Sequence, residues 1–419
     1  MMRIQPAVLA VAIVAAALAS SPADARESNG PPAAKAAFAE GEAAARTGKL
    51  PDAAAAFRKA IDADPDFVDA HQRYIEVTQR QEMPQSRTPT VPRLQQLYER
   101  WAREQPKRAV YQWALGFLSP EADKADVFFQ KATAIDPAFA RAYFLLAKNA
   151  DQRGDWAAQR EYLKKAVDSN PDDPRYLLRY AVAQRRSDPA RYRELTLQVV
   201  EKFPTSQFAA EALYNLADTS SNPERRGYFD RLRANYPFDR FNYSSSAMYT
   251  LYGELTTTSE ALALAQEMAT AFPANKTWTA RVAFQEALAR AQALVADKKF
   301  AEAVELLDKT QRPSGNHGMT WTLVKAEAAA GAGHVDQAYA TLLDTAAAVP
   351  DTRMEAALAR YGRELSKSPQ DVDADLWRVR DAKAKIAAPF ELPSSRGGAP
   401  VKLADYRGKI VLLAFWFPG

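Results

Sequence analysis

Along most of the chain, apolar side chains return every three to four residues in runs long enough for several helical turns. That is the spacing of helices with one buried stripe. Ala53, Phe57 and Ala60 fall at i, i+4 and i+7, on one helix face, and Ala125, Phe129 and Ala132 repeat those intervals. Small residues at the outer positions let a second helix approach closely, and the aromatic ring fills the gap between the two. Successive runs close on Pro65, Pro106, Pro137, Pro171, Pro204, Pro237, Pro273, Pro313 and Pro350, a beat grouped around 34 residues. A fixed period of this length predicts stacked helical hairpins. The longest interval, Pro65 to Pro106, holds an insert over residues 82–92 with three prolines, which cannot continue a helix. Gly48 and Gly154 suit the turns joining the two helices of a hairpin. The pattern therefore predicts a mostly α chain from 34 to 385, with about nine hairpins.

The pattern changes at both ends. Near the start, Arg3 precedes an apolar run from Ala7 to Ala19, a break at Ser20-Ser21-Pro22, and the small-x-small triplet Ala23-Asp24-Ala25. Thirteen helical residues rise about 20 Å, short of a hydrocarbon core of about 30 Å. Residues 1–25 thus read as a cleaved export signal of a bacterial periplasmic or secreted protein, with Arg26 as the mature first residue. Beyond Ala388, Pro389–Pro393 and Pro400–Leu403 read as short extended segments around a glycine-containing turn at Ser394–Gly398. Ala404–Lys409 reads as a short helical turn. The eight apolar residues Ile410–Phe417 lack alternation, as expected of a strand buried on both faces.

Composition narrows the chemistry. With 47% apolar and 25% charged residues, the chain is an ordinary globular one. Its 55 basic and 51 acidic residues nearly balance, which argues against a nucleic-acid groove. Arg185-Arg186 and Arg225-Arg226 read as solvated helix ends. There is no cysteine, so disulfides, thiolate metal ligands and a lipoprotein anchor are excluded. His71, His317 and His334 stand far apart without metal-ligand spacing, so neither a metal nor a cofactor is expected. Gly331-Ala332-Gly333-His334 has no strand before it and reads as an inter-helix turn. Asp172-Asp173 reads as a helix cap, and Ser244-Ser245-Ser246 as a helix entry. The array shows no catalytic constellation.

Gly41, Gly48, Ala53, Phe57, Ala60 and Pro65 in the first unit carry a family resemblance. So do Ala125, Phe129, Ala132 and Pro137 in the second, and Tyr143, Leu146, Ala147, Gly154, Leu163, Ala166 and Pro171 in the third. The pattern resembles the tetratricopeptide repeat. Between Pro204 and Pro313 it thins to Phe-Pro and Tyr-Pro endings. The resemblance implies a right-handed α-solenoid stabilised by nearest-neighbour stacking, with a groove that binds a protein or peptide. Groove positions carried over are Lys35, Phe38, Glu42, Ala45 and Arg46 in the first unit, and Arg141, Phe144, Lys148, Asp151 and Gln152 in the third. A carboxylate-clamp pattern of Lys and Asn recurring in successive units is not evident, since no neighbouring unit repeats Lys148-Asn149.

The tail carries a second resemblance. Leu403-x-Asp405-Tyr406-Arg407-Gly408-Lys409, an apolar run and Phe415-Trp416 are similar to the start of a thioredoxin-like domain of the redoxin branch, TlpA-type above all. It covers residues 388–419 and implies an incomplete α/β stub. In that family a Cys-x-x-Cys follows at a helix N-terminus, where the thiolate is stabilised. By that likeness Phe415, Trp416, Phe417, Pro418 and Gly419 would adjoin a redox site whose cysteines follow Gly419. The expectation is a fragment of an exported thiol–disulfide oxidoreductase whose repeats position a partner, inactive as it stands. The alternative is a non-catalytic periplasmic scaffold. Neither nucleic acid nor stable membrane insertion is expected.

Overall fold

The computed structural model describes residues 30–82, 92–394 and 397–414. The signal segment, most of the proline-rich insert and Phe415–Gly419 lie outside them. The chain divides into two compact units, one to Leu251 and one from Tyr252.

In the first unit the helices are α1 (Pro32–Arg46), α2 (Leu50–Ala63), α3 (Val68–Glu82), α4 (Pro92–Glu104), α5 (Ala109–Leu118), α6 (Ala122–Ile135) and α7 (Ala140–Gln152). They continue as α8 (Trp156–Ser169), α9 (Pro174–Gln184), α10 (Pro189–Lys202), α11 (Gln207–Thr219), α12 (Glu224–Asn235) and α13 (Asn242–Glu254), whose end enters the second unit. The helices of a hairpin pack on each other, as α1 on α2, α5 on α6 and α7 on α8, and the first helices of successive hairpins also touch, as α3 does α5 and α9 does α11.

The sequence explains the hairpins residue by residue. Asp155, Asp188 and Ser206 open α8, α10 and α11 by accepting backbone N–H groups of Ala158, Arg191 and Ala209 at 2.9–3.1 Å. Asp173 caps α9 as expected, whereas Asp172 pairs with Lys202. Gly154 turns α7 into α8 at φ +74°, a conformation that side chains resist. At Gly41 a methyl group would stand 2.6 Å from the Phe57 ring, so α1 and α2 meet there only because one lacks a side chain. The core around α3 to α6 is aromatic: Tyr98, Trp101, Tyr111, Trp113 and Phe129 are buried together.

The second unit contains α14 (Thr258–Ala271), α15 (Lys276–Ala296), α16 (Phe300–Asp308), α17 (Gly315–Gly331), α18 (Val335–Ala348), α19 (Thr352–Glu364) and α20 (Pro369–Lys383). Trp278, Leu307, Tyr339 and Tyr361 are buried in it. Gly333 forms the predicted inter-helix turn, at φ +91°. Ser368 and Asp371 close a reciprocal capping box at the start of α20.

Two expectations change. Among the described residues there are twenty helices, hence ten hairpins rather than about nine. The uncounted pair is α19 and α20, whose second helix ends at Lys383 without a closing proline. The tail forms a two-stranded antiparallel sheet, β1 (Glu391–Leu392) on β2 (Val401–Lys402), followed by a 3-10 turn at Leu403–Tyr406. The buried strand expected from Ile410 is absent over residues 410–414, where Ile410 and Leu412 are almost wholly exposed. An apolar run becomes a central strand only where a sheet flanks it, and one hairpin of two-residue strands supplies none.

Candidate functional site

Hairpin stacking in the first unit aligns the odd-numbered helices, and their polar residues form rungs between repeats. Arg73 on α3 bonds Glu42 on α1 at 2.5 Å and Glu76 on its own helix at 2.7 Å. Arg141 on α7 reaches past α5 to Asp69 at 2.7 Å and Gln72 at 3.2 Å, both on α3, with its guanidinium 6.0 Å from the Trp113 ring of α5. Arg179 on α9 holds Glu211 on α11 with two bonds, at 2.6 and 3.2 Å. Tyr214 and Tyr243 extend this row, their rings 5.6 Å apart.

These rungs sort the predicted groove residues. Phe38 is partly buried, with the Phe57 and Phe67 rings at 5.3 and 5.1 Å, and packs against the edge of the core. Glu42 and Arg141 are tied into rungs, which leaves their charges matched within the protein. Lys35 and Arg46 are exposed on α1. Gln152 is exposed as well. Only Phe144, Lys148 and Asp151 come together, in one wall of a cleft of about 1340 Å³ between α7, α8 and α9.

The cleft contains what the sequence reading missed. Trp156, the first residue of α8, is 54% exposed, with the Arg186 guanidinium 5.9 Å from its ring. Val182 on α9 is exposed beside it, and Arg160 and Leu163 line the α8 side. Arg179 and Arg185 also border the cleft but are held by Glu211 and by Asp218 at 2.8 Å. Arg185-Arg186, expected as a solvated helix end, thus forms part of a wall. The period-based reading passed over Trp156, which opens α8 two residues after Gly154 as Leu50 opens α2 two residues after Gly48, because it took its groove positions from the first helix of each hairpin.

The two histidines of the cores serve packing. His71 is fully buried and accepts at Nδ1 from the Tyr98 hydroxyl at 2.9 Å, while Nε2–H donates to the Pro65 carbonyl at 2.9 Å. Burial lowers its pKa to about 4, so it is neutral. Tyr98 is pushed well above its ordinary value by the same burial. In the second unit His317 donates from Nε2 to the Tyr252 carbonyl at 2.7 Å and accepts at Nδ1 from the Gln285 amide at 3.1 Å. Its pKa is also lowered by burial. Among the described residues, no three His, Asp or Glu side chains gather as a metal site, and no helix is long and apolar enough to cross a membrane.

The sequence profile of the family described as "Tetratricopeptide repeat" matches residues 140–173, which are α7, the turn and α8. The chain carries a tetratricopeptide repeat. That repeat supplies two walls of the cleft. Solved structures with helical likeness include PilW, a type IV pilus biogenesis factor, at 17% identity and TM-score 0.37, covering 52% of this chain and 99% of that one. Pseudomonas aeruginosa pilF aligns at 19% identity and TM-score 0.35, over 51% of this chain and 96% of its own. A thermophilic tetratricopeptide protein of Thermus thermophilus aligns at 12% and 0.33, over 43% and 97%. Likenesses at this level carry no argument about function. Comparison with curated proteins finds no match.

Proposed function

We propose that this chain is a protein-interaction scaffold that holds an extended segment of a partner protein in the cleft between α7, α8 and α9. The observation that carries this reading is Trp156, a half-exposed indole beside Arg186 and Val182 at the edge of a large cleft. Exposed Trp and Arg at a concave surface are the side chains on which protein interfaces most depend. The tetratricopeptide match over α7 and α8 supports the same reading. A photo-crosslinking residue placed at Val182 should give discrete protein adducts in cells, and one placed at Lys164, exposed on α8 outside the cleft lining, should not. Equal labelling from both positions would overturn the assignment.

The thiol–disulfide oxidoreductase reading rests on the sequence likeness of residues 388–419, where only the β1–β2 hairpin and the turn at Leu403–Tyr406 form and residues 410–414 are not a strand. The scaffold reading draws on both a cleft and a matched repeat, and it stands first. We place the protein in the bacterial periplasm or outside the cell, on the strength of Arg3, the Ala7–Ala19 run and Ala23-Asp24-Ala25. The exported form should begin at Arg26 by N-terminal sequencing, and a retained Met1 would refute this.

A further inference from the structure

We infer that the partner segment is acidic: an extended peptide whose Asp or Glu side chains flank an aliphatic or aromatic one. This rests on the scaffold reading and specifies the chemistry of its ligand. The cleft lining holds five cations, Lys148, Arg160, Arg179, Arg185 and Arg186, against two carboxylates, Asp151 and Asp155.

What matters is which charges are already committed. Glu211 and Asp218 hold Arg179 and Arg185. Asp155 accepts the Ala158 N–H at the start of α8. Lys148 and Arg160 make no hydrogen bond or ion pair among the described residues, and Arg186 faces only the Trp156 ring. On the other side of the balance stands Asp151, the one lining carboxylate whose side chain has no partner among those residues. Three cations without an ion-pair partner thus face two carboxylates without one, Asp151 and the helix-capping Asp155, which leaves a net positive charge. The rungs of the neighbouring repeats match acid with base, as in Glu42 with Arg73 and Asp69 with Arg141.

Trp156 and Val182 give it an apolar edge, 54% and 37% exposed, that an aliphatic or aromatic side chain can cover. A basic segment would set like charges together, and a neutral one would leave the three cations to water. An acidic segment satisfies both the charges and the edge.

The test is selection from a random dodecapeptide display library on the whole chain, with binding of the enriched peptides then measured by fluorescence anisotropy. Enriched peptides should carry Asp or Glu around an apolar residue. Trp156→Ala should weaken them about tenfold, a loss of about 1.4 kcal/mol for one interfacial indole. Lys148→Glu combined with Arg160→Glu should weaken them at least as much at low salt, and less as salt screens the charges. Trp377→Ala, which removes an equally exposed indole on α20, should change nothing. The milder Lys148→Ala and Arg160→Ala pair, with helicity checked by circular dichroism, separates lost charge from lost folding. Enrichment of neutral or basic peptides that still need Trp156 would overturn the acidic inference and leave the scaffold standing. Enrichment of no peptide that needs Trp156 would overturn both.

Discussion

Acidification should loosen the repeats around His71, because the folded protein resists the proton that the unfolded chain accepts. In the fold His71 is enclosed by Tyr98, Trp101 and Tyr111, with ring distances of 5.6 to 6.1 Å. Of the charged neighbours, Asp66 favours protonation, and Arg58 and Arg108 oppose it. Burial dominates and sets the folded pKa near 4, against an ordinary 6.5. Between these values the unfolded state binds more protons, so stability rises with pH in that window. The stabilisation is whole above about pH 6.5 and is lost as pH falls toward 4. A gap of about 2.5 units corresponds to about 3 kcal/mol, at 1.36 kcal/mol per unit. Hydrogen exchange of α3 and α5 amides in the native state, followed from about pH 7.5 to 4.5, reads the local opening energy after correction for intrinsic rates. It should fall by about 2–3 kcal/mol over that range. His71→Gln, whose amide can still donate to Pro65 and accept from Tyr98, should flatten most of the slope. An imidazole titration by NMR that put His71 near 6.5 in the folded protein would refute the reasoning, as would an unchanged slope in His71→Gln.

Gly41→Ala should destabilise the first hairpin by about 1–2 kcal/mol, although alanine favours helix by about 1 kcal/mol, since its methyl would overlap the Phe57 ring. Urea unfolding should show the loss shrinking in a Phe57→Leu background; a stabilised Gly41→Ala would contradict this packing. Asp375 is buried, accepts bonds from Lys367 at 2.9 Å, Arg378 at 2.8 Å and Tyr339 at 3.1 Å, and has a lowered pKa, first through the Lys367 bond. Its stabilisation is present above the ordinary carboxylate value and fades as pH falls below that value. Asp375→Asn should cost about 1–3 kcal/mol, visible as faster exchange in α18 and α20; unchanged exchange there would rule the linkage out.

The helical beat was legible because it is local: Ala53, Phe57 and Ala60 mark a face whatever the tertiary setting, and a proline ends a helix by its own sterics. The tenth hairpin escaped because α20 is stopped by no proline. Residues Ile410 to Leu413 misled because periodicity records what a segment would bury and is silent on whether a neighbour is present. The site was partly legible. Phe144, Lys148 and Asp151 followed from family positions on α7, but at the same positions on α1 Phe38 packs against Phe57 and Phe67 at the core's edge and Glu42 is tied to Arg73. Trp156, Arg160 and Val182 join the cleft only through the packing of α8 and α9 against α7, a fact of three dimensions that no spacing rule encodes.

An array of stacked hairpins ordinarily behaves as a one-dimensional chain in which each repeat feels only the next. Arg141 breaks that rule, since it leaves α7, passes Trp113 of α5 and closes on Asp69 and Gln72 of α3. Three consecutive hairpins are thereby pinned by one side chain. Second-neighbour coupling of this kind raises the cost of a boundary between folded and unfolded repeats within α3 to α8, so that stretch melts as one block instead of fraying hairpin by hairpin. It also limits how far α3, α5 and α7 can splay. The helix that forms one wall of the cleft is thus held in place from two repeats away.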